Sequence, residues 1–242
     1  MTNSERKRGF ELIEGMNGTL PLRSTNGAAG YDFTASEQIV VPSLLIAYDT
    51  LTKNIDSLTD KLLKVSSEEM LDKILEEIET VDRMASSGQF LRQIEKLKEI
   101  LINSFQKIYE ENIDNLDPDV ENPSKKVEKV FSELLSKFKP VLVPTGVKSY
   151  MQQNEFLQLA NRSSNPKNGL VLANGIGIID SDYYNNENNE GHIMFQFVNL
   201  TEDDVIIEVG QKIGQGIFLP FLLTDDDFVD NIRSGGFGST GK

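Results

Sequence analysis

The stretch Gln38-Ile-Val-Val-Pro-Ser-Leu-Leu-Ile-Ala-Tyr48 contains the change of period that divides the chain. Ile39, Val40 and Val41 are β-branched and Pro42 closes the run, which reads as a strand. From about Ser43 the apolar residues recur every three or four positions: Leu51, Ile55, Leu58, Leu62 and Val65, then Leu71, Ile74, Ile78 and Val81. Phe90, Ile94, Leu97, Leu101, Phe105 and Ile108 continue the pattern up to a Pro/Asp/Asn-rich break at 114–123. Val127, Val130 or Phe131, Leu134 and Phe138 follow it. Ser66-Ser-Glu-Glu69 reads as a helix start and Ser86-Ser-Gly88 as a turn. Three or four amphipathic helices are therefore expected between about 44 and 139.

On both sides of this block the pattern is that of short strands. Before it come Gly9–Ile13, Leu20–Leu22, Tyr31–Ala35 and Gln38–Pro42. After it come Pro140–Gly146, Phe156–Ala160, Gly169–Ala173, Ile193–Leu200, Val205–Val209 and Ile213–Leu219. Short strands with Gly, Asn and Asp turns at this spacing imply a barrel or sandwich. Val40-Val-Pro42 and Val141-Leu-Val143 look like adjacent strands of one hairpin. The block would then leave and return at one point, which favours two or four helices. The expected domains are a β domain from 1–43 and 140–232, an inserted helical domain at 44–139, and a flexible arm at 233–242.

Composition narrows the chemistry. The 242 residues carry a net charge of −14, which argues against non-specific duplex binding, since phosphate contacts on nucleic acid need clustered Lys and Arg. There is no cysteine, which removes thiolate catalysis and suits a reducing cytoplasm. A single histidine, His192, leaves little for a Ser-His-Asp triad or a multi-histidine zinc site. No apolar run reaches membrane-spanning length, and no apolar segment follows the charged first ten residues.

Five stretches have the composition of a site. In Ala28-Ala-Gly-Tyr-Asp-Phe33 a glycine leads into an aromatic and an acid. Asn161-Arg-Ser-Ser164 places a guanidinium beside two hydroxyls, a plausible phosphate cradle and also an ordinary polar turn. Asn174-Gly-Ile-Gly-Ile-Ile-Asp-Ser-Asp-Tyr183 sets Asp180 after two isoleucines, where a partly buried carboxylate could orient and deprotonate a water or simply cap a turn. Gly210-Gln-Lys-Ile-Gly-Gln-Gly216 is a turn into a strand, with Gln215 as a possible donor to a ligand. Arg233-Ser-Gly-Gly-Phe-Gly-Ser-Thr-Gly-Lys242 offers backbone N–H groups, hydroxyls, one fork of charge and one flat ring. It also has the spacing GxxxxGK of a P-loop. Without a hydroxyl after the lysine and a helix beyond it, that reading is rejected.

Taken in order, AAGYDF, NRSS, NGIGIIDSDY, GQKIGQG and RSGGFGSTG resemble the five motifs of the homotrimeric dUTP pyrophosphatase (dUTPase) family. The resemblance covers about 7–49 and 140–242. The Asn-rich turn at Tyr184–Glu190 and the strand Gly191-His-Ile-Met-Phe-Gln-Phe197 look most like dUTPases of Gram-positive bacteria and their phages. It implies a mainly β fold, a dUTPase-like barrel or jelly roll with an inserted α-helical bundle, and a cytoplasmic enzyme of the bacterium or the phage-infected host. It implies hydrolysis of dUTP to dUMP and pyrophosphate in a homotrimer whose sites draw residues from three subunits, with Mg²⁺ held by the triphosphate and water. Asp180 would position the attacking water and act as its base, and Asp32 would stand by the metal's water shell or a neighbouring arginine. Arg162, Ser163, Ser164 and Gln215 would meet the phosphates. Asn174 and the strand backbone at Gly177 would read the uracil, and Tyr183 would pack on the deoxyribose and exclude a 2′-hydroxyl. Arg233, Gly238, Ser239 and Thr240 would grip the terminal phosphates while Phe237 stacks on the base.

Two sequence features depart from the family pattern. Asn161 stands where Gly or Pro is common, and Tyr184–Glu190 lengthens the turn after Tyr183. The family has a short turn where the helical block lies. That block is either a self-contained insertion or a module for a protein partner. Two other functions stay open at this point: a dCTP deaminase relative, and a regulatory binding protein acting through the block.

Overall fold

In the computed structural model, which describes residues 7–63, 90–112 and 123–228, the strand β11 (Lys212–Pro220) lies between β2 (Tyr31–Thr34) and β6 (Glu155–Asn161). The β6–β11 ladder is antiparallel and runs from Gly214 opposite Asn161 to Pro220 opposite Glu155. A Cβ on Gly214 would stand 2.0 Å from the Phe195 ring, and one on Gly216 would stand 2.7 Å from the Phe33 ring. The two glycines therefore let aromatic rings lie directly on the strand. Gln215 between them takes the opposite face, because side chains alternate along a strand.

β8 (Gly177–Asp180) extends this sheet on the far side of β6, giving the order β2-β11-β6-β8. A second sheet has the order β4-β9-β7, from Val141–Pro144, Met194–Asn199 and Leu170–Leu172. Two antiparallel pairs complete the unit: β1 (Gly9–Leu12) with β5 (Val147–Tyr150), and β3 (Ile39–Val41) with β10 (Val205–Ile207). The inward faces supply one core that includes Phe33, Val143, Val147, Leu157, Ile193, Phe195, Phe197 and Ile207, all essentially fully buried. Each such phenyl or branched side chain contributes about 2 kcal/mol by leaving water. The expected mainly β, jelly-roll-like architecture is what forms.

The strand pairing differs from the expectation in one place. The flanks of the helical block are not partners in a hairpin, since β3 pairs with β10 and β4 pairs with β9. Both runs are short, apolar and valine-rich, so the sequence identified the strands and left their partners undetermined. They still come together through β9. Ser43 bridges Asn199, and Val141 lies opposite Phe197 two residues along the same strand. The junction is held by buried polar bonds: Ser43 Oγ donates to the Thr201 carbonyl at 2.5 Å, and Asn199 Nδ2 donates to the Val41 carbonyl at 3.0 Å. Leu20–Leu22 contributes an isolated bridge from Leu22 to Asp32 in place of a strand. β5, missed as a separate strand, has a plain alternation of Val147, Lys148, Ser149 and Tyr150.

The chain divides into two compact units, Met1–Leu44 with Pro140–Lys242, and Leu45–Lys139. In the second, the described helices are α1 (Leu44–Leu63, whose first residue belongs to the other unit), α2 (Phe90–Asn112) and α3 (Pro123–Ser136). Pro123 opens α3, where its missing N–H is no loss. Of the expected seam, Leu51, Leu97, Leu101 and Phe131 are fully buried, and α2 packs on α3. Leu135 is buried as well. The helix start at Ser66–Glu69 and the turn at Ser86–Gly88 lie outside the described residues.

Gly214→Ala forces the new methyl into the Phe195 ring. It should lower unfolding stability by about 1–3 kcal/mol, read as a shift of the urea midpoint. A midpoint equal to that of the parent chain would show that the ring has room to move.

Candidate active site

Three expected site residues meet where β2, β11 and the end of β6 come together. Asp32 and Gln215 are direct register partners, and Gln215 also pairs with Ala160. Arg162 follows the last residue of β6, and its Nη1 donates to the Lys212 carbonyl at 3.0 Å. The Asp32 carboxylate accepts from Lys212 Nζ at 2.6 Å and from Ser24 Oγ at 2.7 Å. Burial raises the Asp32 carboxyl, but the hydrogen bonds from Lys212 and Ser24 and the charges of Lys212 and Arg162 outweigh it. Its pKa is held below the ordinary value, so Asp32 is an anion at neutral pH. Two cations around one carboxylate leave this corner locally positive. Ser163 and Ser164 are exposed in the turn immediately beyond Arg162.

The geometry explains two sequence features. A Cβ on Gly30 would stand 2.3 Å from Gln215 Oε1, so the glycine of AAGYDF leaves room for the glutamine side chain. Asn161, the departure from the family pattern, closes the turn with its side chain. Its Oδ1 accepts from Arg162 N at 2.9 Å and from Asn165 Nδ2 at 2.8 Å, and its Nδ2 donates to the Leu170 carbonyl at 3.1 Å. Asn165, which is buried, also donates to the Ile213 carbonyl at 2.7 Å. Lys212, Ser24 and Asn165 were not singled out from the sequence. Lys212 stands inside GQKIGQG and was legible as a cation, whereas Ser24 and Asn165 are turn residues that only the folded register brings into place.

The second group sits on the β7–β8 hairpin. Asn174 is exposed in its turn, and Gly177 and Asp180 begin and end β8. Gly177 pairs with Leu159, and a Cβ there would meet the Leu159 side chain at 3.1 Å. Asp180 is half-buried, as expected, and immediately precedes the 3-10 turn Ser181–Tyr183. Tyr183 is buried. The pairing of β6 with β8 places Asp180 opposite Phe156, near the start of β6. Arg162 follows Asn161, at the other end. Five residues of strand, roughly 17 Å, separate Phe156 from Asn161. Within one chain, therefore, Asp180 and Tyr183 do not meet Arg162, Asp32 and Gln215. Arg233, Phe237, Gly238, Ser239 and Thr240 lie outside the described residues.

Among the described residues no group of three or more His, Cys, Asp or Glu gathers to hold a metal ion. The donor chemistry present is one ionised carboxylate, Asp32, beside phosphate-type cations and hydroxyls. A hard cation met through water and substrate oxygens fits that set. No described helix is long and apolar enough to cross a membrane.

A family model described as dUTPase matches residues 132–241. The deoxyuridine 5'-triphosphate nucleotidohydrolase of Lactococcus lactis is 54% identical over 103 residues, which are 41% of this chain and 69% of that protein. The enzyme of the same name from Glaesserella parasuis is 34% identical over 109 residues, 42% of this chain and 68% of that protein. A crystal structure of dUTPase from Streptococcus mutans is similar at 30% identity with a TM-score of 0.49, covering 90% of this chain and 98% of that one. The chain belongs to the dUTPase family.

His192 links the hairpin to the core. Its Nε2 accepts from the Gly146 N–H at 2.9 Å, which requires a neutral ring protonated on Nδ1. Burial pushes its pKa below 6.5, against a smaller opposing pull from Glu37. The unfolded chain takes up this proton first, so stability present above about pH 6.5 is lost as pH falls toward the folded pKa. Asp32 is also depressed, so its contribution disappears only in the lower carboxylate range. Thermal unfolding from pH 8 to pH 4 should show the loss beginning near pH 6.5, and His192→Gln should remove that upper step.

Proposed function

We infer that this dUTP diphosphatase works as a homotrimer in which Asp180 and Tyr183 of one subunit act on a nucleotide whose phosphates lie on a neighbour's Arg162, Ser163, Ser164 and Gln215. The observation that carries the reading is the roughly 17 Å of β6 between the two groups. A base and a phosphate cradle that serve one reaction must come within a few ångströms of each other, and a second copy of the chain supplies the missing half. Asp180, partly buried beside Ile179, holds a water and takes its proton as the water oxygen bonds to the α-phosphorus. The bond from the α-phosphorus to the bridging oxygen breaks, and pyrophosphate leaves with the electron pair. Phosphoryl transfer asks mainly for alignment and neutralised charge, which Arg162, Lys212 and the serine hydroxyls provide. Asp32, kept ionised, would stand in the water shell of a Mg²⁺ ion. Such an ion, when bound, adds charge neutralisation on the phosphate oxygens.

Asn174 and the strand backbone at Gly177 would read the uracil edge, and the hairpin excludes the reversed donor pattern of cytosine. Arg233, Gly238, Ser239 and Thr240 would close on the terminal phosphates with Phe237 over the base. Residues 44–139 form an inserted helical bundle in this reading, the β domain being 1–43 with 140–232, and 233–242 the closing arm. In this reading the enzyme works in the cytoplasm of a Gram-positive bacterium or its phage-infected host.

Two inactive variants test the shared site. Asp180→Asn and Arg162→Ala should each release less than about 1% of the parent's pyrophosphate from dUTP, a loss of the size expected for removing a base or a charge clamp. Co-expressed, they should recover a substantial part of it, because some sites in mixed trimers are built from one intact half of each. No recovery in mixed oligomers would sink the shared site. Ammonia released from dCTP would instead favour a deaminase.

A further inference from the structure

The turn that lengthens the hairpin after Tyr183 is built around the tyrosine hydroxyl. Tyr183 Oη donates to the His192 carbonyl at 3.1 Å and accepts from Asn189 Nδ2 at 2.8 Å. Its ring is only 5% exposed, so the phenol is fixed at both ends. Asn189 is held in turn: its Oδ1 accepts from Asn186 Nδ2 at 2.7 Å and from Gly191 N at 3.2 Å. Asn186, itself buried, donates to the Tyr183 carbonyl at 3.0 Å and accepts from the backbone N–H groups of Asn188 and Asn189. The turn keeps two non-glycine residues in the left-handed region, Asn185 at φ 55° and Glu190 at φ 57°. Their conformation is disfavoured, and the bond from Asn185 N to the Glu190 carbonyl at 3.1 Å holds it. A surface turn free of other duties needs neither a buried asparagine nor backbone strain.

We propose that Asn189, locked by Asn186, is a positioning residue that fixes the Tyr183 ring and thereby sets how strictly the site rejects a ribonucleotide. The inference rests on the reading of Tyr183 as the wall beside the deoxyribose. A 2′-hydroxyl is one oxygen larger than hydrogen, so a wall that yields by a few tenths of an ångström admits it. The hydroxyl of Tyr183 points away from that task and into the turn. Its two bonds remove the ring's freedom to yield.

Asn189→Asp is the sharpest variant. It keeps an oxygen for Asn186 and Gly191 and removes only the donor to Tyr183. Tyr183→Phe keeps the ring and removes both bonds, so it serves if the first variant folds poorly. Pyrophosphate release from dUTP and UTP is measured for both, with Tyr183→Ala and thermal midpoints alongside. Each of the first two should raise the UTP-to-dUTP ratio of kcat/KM by roughly 10-fold, and the double variant should add little to either. If Tyr183→Ala shifts the ratio and the other two do not, the positioning role is overturned while the sugar wall stands. If none of the three shifts it, the sugar wall falls and the positioning role with it. A lower midpoint and slower turnover at an unchanged ratio mark a purely structural turn and also overturn the proposal.

Discussion

The contact of two phenyl rings with a glycine-bearing strand governs the β unit. Phe195 and Phe33 lie on β11 where Gly214 and Gly216 have no side chains, so the core reaches the strand backbone itself. That contact fixes which face of β11 is inward. A strand has a period of two, so Gln215 is thereby committed to the other face, opposite Asp32. The same register sets Asn161 against Gly214 and brings Arg162 to the Lys212 carbonyl. The corner of Asp32, Arg162 and Lys212 is thus a by-product of how aromatic rings pack. It tolerates no slip of β11, because a slip of one residue would bury the glutamine and expose the glycines.

The other half of the chemistry depends on β6 as a spacer. β6 pairs along its whole length with β11 and along its first half with β8, so its two ends carry different residues at a fixed separation. Neither end can move toward the other without breaking the ladder. In the proposed reading, a rigid strand of this kind leaves an assembly of several chains as the way to join Asp180 to Arg162. In that reading the geometry of the site would be set by interfaces between rigid bodies, with precision that loops alone would not give.

Much of this was legible in the sequence, and what was not has a physical reason. The strands of the β unit follow from period-two patterning, and the helices from the step of three and four that begins at Ser43. Five ordered motifs carried the family. Pairing partners were harder: β3 and β4 look alike as short, valine-rich apolar runs, and only the completed core assigns β3 to β10 and β4 to β9. Ser24 and Asn165 were invisible for a related cause. A serine or asparagine in a turn is ordinary, and it gains significance only when a distant residue arrives beside it, Lys212 from 188 positions beyond Ser24 or Ile213 from 48 positions beyond Asn165. The Asn-rich turn shows the opposite case. Its composition reads as an exposed turn, and most of it is exposed, yet Asn186 is buried, because asparagine can satisfy backbone and side-chain partners at once.

A net charge of −14 opposes the binding of a triphosphate, and distance resolves the conflict. At physiological ionic strength a surface charge is screened over about 8 Å, so carboxylates scattered over the remainder of the surface weigh little at any one corner. What a phosphate meets is the arrangement within that radius. Here Lys212 and Arg162 stand at the end of β11 and β6 with a single carboxylate, Asp32, between two donors. Asp32 keeps Lys212 extended across the corner and also subtracts one charge, so the cluster is weakly positive. In the proposed reading, a weakly positive corner would bind a triphosphate without holding its products too tightly. The remaining neutralisation can then come from groups that arrive with the nucleotide, and the overall acidity of the chain still discourages polyanions such as nucleic acid from occupying the same place.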